Sequence, residues 1–177
     1  MPIRYNVATL LKEPVGSTRE YELEGQVLME EDSGRTRPLA GHATFLRTEQ
    51  GVLVTARLRG VEGEQCSRCL REFDLPVSLE IEEEFFARVD AETGATTPPP
   101  EDPEVFLIDA DHTLDMDEAV RQYWAMALPM QPLCRPDCRG LCPRCGQNLN
   151  EGACACPPEE DDRWSALREL APERKGG

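Results

Sequence analysis

Eight cysteines fall in four close pairs: Cys66/Cys69, Cys134/Cys138, Cys142/Cys145 and Cys154/Cys156. Six of them lie between positions 134 and 156. No other feature of the 177 residues limits the fold so strongly, because each pair must be delivered to a partner pair. Paired cysteines turned by Pro136, Gly140, Pro143 and Gly146 are how a chain presents thiolates to a soft tetrahedral ion. The opening run MPIRYNVATLLKEP has no apolar stretch of signal-peptide length, and no segment approaches a membrane span. A cytoplasmic protein with reduced thiols is therefore expected, and its cysteines read as zinc ligands rather than as a disulfide framework.

Two pairings compete. Cys142/Cys145 with Cys154/Cys156 complete one four-thiolate set across the loop GQNLNEGA. Cys66/Cys69 and Cys134/Cys138 are then left to form a second, tying the first half of the chain to the Cys-rich stretch. The rival unites Cys134/Cys138 with Cys142/Cys145. Loop entropy hardly separates the two, since doubling a long loop costs only about 0.6 kcal/mol. Geometry favours the first, because only Arg139, Gly140 and Leu141 separate Cys138 from Cys142. A helix could align those sulfurs, but Pro136, Gly140 and Pro143 oppose one. A structural zinc contributes on the order of 10–16 kcal/mol at neutral pH, comparable with the stability of a whole domain. All-thiolate sites leave no open position for an activated water, and His42 and His112 stand at no ligand spacing to any cysteine. Without a glycine-rich phosphate loop or a nucleophile–base pair, neither an enzyme nor a small-molecule substrate is expected.

The first half alternates with period two. Tyr21, Leu23 and Val27 interleave with Glu20, Glu22, Glu24 and Gln26; Val52, Val54, Ala56 and Leu58 with Thr55, Arg57 and Arg59; Val77, Leu79, Ile81 and Phe85 with Ser78, Glu80, Glu82 and Glu84. This predicts an antiparallel sheet solvated on one face, open or curled into a small β-barrel. Turn signals stand at 31–34, 49–51 and 62–63, and residues 7–12 suit a short helix or a strand equally. Residues 90–104, almost free of large apolar side chains and rich in proline, read as a flexible linker or loop. An amphipathic helix follows. Asp115 and Glu118 have capping-box spacing, Met116, Ala119, Val120, Tyr123, Trp124, Ala127 and Leu128 make one apolar stripe, and Pro129 ends it. A last short helix is expected around Trp164, Leu167 and Leu170. The overall expectation is an α+β chain: an antiparallel β domain over 1–89, the linker over 90–104, a helix packed on the sheet within 105–130, and a Cys-rich zinc module with its C-terminal helix over 131–177.

With 19 Lys and Arg against 34 Asp and Glu, the formal charge is −15. Such a surface repels phosphate backbones and anionic membranes and favours basic partners. The blocks CSRCLREF (66–73), PLC (132–134) and GLCPRCGQNLN (140–150), with Tyr123 and the opening NVATLLKEPVGSTREYEL, resemble the YceD family of large ribosomal RNA subunit accumulation proteins. The resemblance runs from Ile3 to about Asn150 and matches six cysteines, Cys66 to Cys145, together with Gly140, Gly146, Asn148 and Asn150. Cys154 and Cys156 belong to only some members. The resemblance implies a bacterial cytoplasmic protein with a role near ribosome large-subunit assembly, and it brings no catalytic residue. Charge then suggests that its principal contact is a basic ribosomal protein or an assembly intermediate. Two other readings stay open. One is an RNA-binding zinc module using Arg68, Arg71, Arg135, Arg139 and Arg144; the other is a redox-regulated zinc switch or chaperone.

Overall fold

A computed structural model describes residues 3–30, 35–98, 100 and 105–157. The turn signal at 31–34 and the helix expected around Trp164 lie outside the described residues. Four long strands form an antiparallel meander: β2 (Thr18–Glu30), β3 (Arg35–Arg47), β4 (Gly51–Gln65) and β5 (Glu72–Ala87). A short strand, β6 (Phe106–Ile108), adds to β5 in parallel, an edge that the alternation pattern did not announce. The strand order is β2-β3-β4-β5-β6, and the two outer strands do not pair with each other. The sheet is open, so the barrel alternative does not hold. A separate two-stranded ladder joins β1 (Arg4–Asn6) to β7 (Thr113–Asp115), bringing the N-terminus beside the second helix. The undecided stretch at 7–12 contains a helical turn, α1 (Ala8–Leu11), which buries Leu10 and Leu11.

Alternation places the core as the sequence implies. Val52, Val54, Ala56 and Leu58 of β4 are buried, while Thr55, Arg57 and Arg59 face solvent. Leu23, Val27, Phe45, Leu79, Ile81 and Phe85 share the same buried cluster. Ala119, Val120 and Trp124 of α2 (Asp117–Ala127) belong to it as well. The capping box does not form. Asp115 is the last residue of β7, its carboxylate accepts the Asp117 N–H at 2.9 Å, and Glu118 turns instead to Arg121 and Gln122. The local ladder claims Asp115, and the helix starts one residue later than the spacing suggested, with Met116 as its N-cap.

The expected turn at 62–63 is strand. Glu62 and Gly63 pair with Leu75 and Asp74 in the middle of a hairpin that runs on to Gln65. What does end there is the β3–β4 ladder, whose last pair is Leu39 with Gly60. Pro38, the next residue of β3, brings no N–H to extend it. Continuing that register by two residues sets Arg37 opposite Glu62. Side chains close the gap where backbone bonds cannot: Arg37 Nε donates to both Glu62 oxygens at 2.8 Å. The indole Nε1 of Trp124 donates to Glu62 at 3.0 Å. Glu62 is the single buried charged residue among those described, and Arg37 and Trp124 both donate to it. The same indole lies over Gly60, where an added Cβ would come within 2.6 Å of the Trp124 ring. Gly60→Ala should therefore cost about 1–3 kcal/mol by overpacking, read as a lower urea midpoint. Val61→Ala, next along the strand but exposed, should change stability by less than about 0.5 kcal/mol.

Candidate metal centres

Both Cys-x-x-Cys pairs sit at hairpin tips built in the same way. In the first, which joins β4 to β5, Cys66 N–H donates to Arg71 O at 2.9 Å and Leu70 N–H to Cys66 O at 2.9 Å. In the second, Cys142 N–H donates to Gln147 O at 2.8 Å and Gly146 N–H to Cys142 O at 2.9 Å, within an isolated bridge of Leu141 with Asn148. The fifth residue of each turn is left-handed, with φ 57° at Leu70 and 73° at Gly146. This geometry aims backbone N–H groups at the first sulfur. The Cys134, Cys69 and Arg68 amides hold the Cys66 thiol down at about 5. Those of Cys145 and Arg144 hold Cys142 down at about 6. CSRCL and CPRCG are thus one structural unit used twice, which sequence reading missed because leucine does not signal a left-handed turn. The shared Cys-x-Arg-Cys was the available clue.

The cysteines assemble into two clusters, Cys66/Cys69/Cys134/Cys138 and Cys142/Cys145/Cys154/Cys156, with all sulfurs of a cluster within 4.8 Å of one another. In the first, Cys66 Sγ lies 3.8 Å from Cys138 Sγ, and Cys69 Sγ 3.7 Å from Cys134 Sγ. A disulfide would bring sulfurs to about 2.05 Å. A tetrahedron with metal–sulfur bonds of about 2.3 Å has edges of about 3.8 Å, which the first cluster matches. The donor set fits a thiophilic dication. Neither histidine enters a cluster: His42 lies on the exposed sheet face, and His112 occupies a left-handed turn. Without a cation, crowding keeps part of each cluster protonated. Burial, then the neighbouring thiols of Cys69 and Cys66, push Cys134 up to about 12. Hydrogen bonding to Cys145, then burial, push Cys156 up to about 12.

The first cluster fastens the β4–β5 tip to the chain after α2. Ser67 N–H donates to Pro132 O at 2.8 Å, Leu141 N–H to Arg68 O at 3.2 Å, and the Arg68 guanidinium to Cys138 O at 2.8 Å. Asn150 joins the two clusters. Its side-chain amide donates to Cys138 Sγ at 3.4 Å, while its oxygen accepts the Arg139 N–H and the Arg135 guanidinium, each at 2.8 Å. Asn148 Oδ1 holds that amide at 2.8 Å. Of the five arginines singled out in the sequence, Arg68 and Arg135 are engaged in this framework, and Arg135 also pairs with Asp137 at 3.4 Å. Arg71, Arg139 and Arg144 are exposed around the clusters. The clusters differ in cover: three of the first four cysteines are buried, whereas Cys142 alone is buried in the second and Cys145 is exposed.

Leu70 is 55% exposed, so its left-handed backbone is not offset by much burial. A non-glycine residue there costs about 1–2 kcal/mol, and glycine's extra chain entropy costs about 0.5–1 kcal/mol. Leu70→Gly should therefore stabilise the protein by about 0.5–1 kcal/mol, seen as a raised denaturation midpoint with unchanged metal content. Gly146→Leu should do the reverse.

Comparison with known proteins places these turns in a family. The family model described as large ribosomal RNA subunit accumulation protein YceD matches residues 54–171, a span that takes in all eight cysteines. An uncharacterized protein of Mycobacterium tuberculosis is 37% identical over 121 residues, 68% of this chain and 56% of its own length. The chain thus spans about half the length of these curated relatives. Two chloroplastic YCED homologues named large ribosomal RNA subunit accumulation protein are similar over shorter stretches. That of Zea mays is 33% identical over 33% of this chain and 20% of its own; that of Arabidopsis thaliana is 30% identical over 36% and 21%. No solved structure matches. With the family model spanning both cysteine blocks and the two knuckles they form, the chain belongs to the YceD family of large ribosomal RNA subunit accumulation proteins.

Proposed function

We propose that this protein is a non-enzymatic zinc-binding assembly factor that supports accumulation of large-subunit ribosomal RNA by contacting a basic ribosomal protein. The observation that carries the reading is the family match across all eight cysteines, combined with sulfur spacing suited to two closed tetrahedral sites. Four thiolates per ion leave no coordination position for substrate or water, so the metal acts as a staple. Cys66, Cys69, Cys134 and Cys138 hold one zinc, and Cys142, Cys145, Cys154 and Cys156 the other. The charge of −15 suits shielding a cationic protein better than gripping RNA. Free thiols are compatible with a reducing compartment such as the cytoplasm. No helix among the described residues is long and apolar enough to cross a membrane.

Metal analysis of the purified protein should find close to two zinc ions per chain, falling to one in both Cys66→Ser and Cys145→Ser. Only Cys66→Ser should also lower the unfolding midpoint of the sheet, because its cluster alone takes ligands from the β4–β5 tip. Reloading stripped protein at pH 7 should release at least two protons per chain, since Cys134 and Cys156 bind theirs until metal arrives. A zinc content near zero removes the staple. Function is tested in a host lacking its own copy: this chain should restore large-subunit ribosomal RNA, and a low-salt pull-down should recover a ribosomal protein. Recovery of naked RNA alone, weakening steeply with salt, would instead favour an RNA-binding module built on Arg71, Arg139 and Arg144.

A further inference from the structure

β2 is the outermost strand of the five-stranded sheet and pairs with β3 alone. From Thr18 to Val27 it makes no backbone hydrogen bond to any other element among the described residues. Its outward N–H and C=O groups therefore form a row open to another chain, and such a row is a template for strand addition. β6, at the opposite edge, has only three residues and offers no comparable length.

Along this row stand Glu20, Glu22 and Glu24, all exposed and all on the solvated face. None has an ion-pair partner among the described residues. Successive members of the series are about 6.8 Å apart, the repeat of alternate residues in a strand. We propose that the β2 edge receives an extended lysine- or arginine-rich segment of a protein partner as a sixth strand. An added strand carries its alternate side chains at the same repeat, so cations at every second position fall beside the three carboxylates, where opposite charges across strands attract. Acidic edges also deter self-association, because a second copy would set Glu against Glu. The same carboxylates thus refuse this chain and accept a basic one. The register shift between Leu28 and Glu30 ends the straight stretch. Nucleic acid is a poor occupant, having no strand donors to offer and phosphates facing carboxylates.

The inference rests on the basic-protein reading above, but its test needs no ribosome. The probe is a fluorescent ten-residue peptide alternating lysine and threonine, titrated in low salt against the full-length protein. It should bind, weaken as salt rises, and slow deuterium exchange within Thr18–Val27. Two peptides of equal charge carry N-methyl groups, one on the lysine amides and one on the threonine amides. Strand addition requires the peptide whose blocked donors face β2 to lose binding while the other keeps it. Replacing Glu20, Glu22 and Glu24 together by Gln should weaken the unmodified peptide roughly tenfold, with an unchanged far-UV spectrum. No binding of the unmodified peptide, or equal binding of all three, overturns the added strand. Either result leaves the ribosomal reading standing, because that reading is decided by ribosomal RNA accumulation in the host.

Discussion

One cluster of four sulfurs fastens the segment after α2 to the tip of the sheet. Cys66 and Cys138 are 72 positions apart, and Cys69 and Cys134 are 65 apart, yet their sulfurs meet within 4 Å. The tip of the longest hairpin and the chain leaving α2 have no other large apolar surface in common. The buried cluster around them consists of Cys66, Cys69 and Cys138, with Phe73, Leu133, Cys134 and Leu141 packed at its margin. That is too little apolar area to order the segment after α2, which contains no helix or long strand among the described residues. Four ligand bonds to one ion can supply what such a small cluster lacks.

The second cluster is positioned against the first. Its turn is anchored through Leu141 to Arg68 and through Leu149, whose N–H donates to Gly140 O at 2.9 Å. Gly140, at φ 76°, lies close enough to Arg68 that a Cβ would come within 3.1 Å of the Arg68 carbonyl. Asn150 adds a direct link between the Gly146–Glu151 loop and the Cys138 sulfur. These contacts run from the sheet to the first cysteine cluster and from there to the loop that carries the second. At the sheet end the chain is equally constrained. Glu62 lies four residues before Cys66 and fixes α2 through Trp124, so the helix that leads to Cys134 and the strand that leads to Cys66 are held together just ahead of their meeting point.

Much of this was legible because its physics is local. Period-two alternation marked β2, β4 and β5, and the apolar stripe marked α2, since burial on one face leaves a repeat in the sequence. Cysteine spacing marked the ligands, and the shortness of Arg139–Leu141 argued for the pairing now seen. What stayed hidden depends on distant partners. Glu62 and Gly63 carry turn chemistry, but pairing with β5 and the donors of Arg37 and Trp124 make Glu62 a buried strand residue. Asp115 has the chemistry of a cap, but its place in β7 opposite Arg4 gives its carboxylate other work. Leu70 conceals a left-handed turn because an intrinsic preference of about 1–2 kcal/mol is small beside the hydrogen bonds and sulfur contacts that fix the hairpin tip.

The arginines around the clusters take their meaning from the same electrostatics. A dication bound by four thiolates carries about −2, so two filled clusters bring about −4 to a chain already at −15. Arg68, Arg71, Arg135, Arg139 and Arg144, all within the cysteine-bearing segments, oppose that charge. Two of them are already held, Arg68 by the Cys138 carbonyl and Arg135 by Asn150 and Asp137. A cluster that looks basic when cysteines are counted as neutral becomes close to neutral once metal is bound. Glu20, Glu22 and Glu24 at the sheet edge remain exposed and without an ion-pair partner among the described residues, and such carboxylates attract cations. The cysteine clusters fix the segment after α2 against the β4–β5 tip, and the carboxylates of β2 leave the far edge of the sheet acidic.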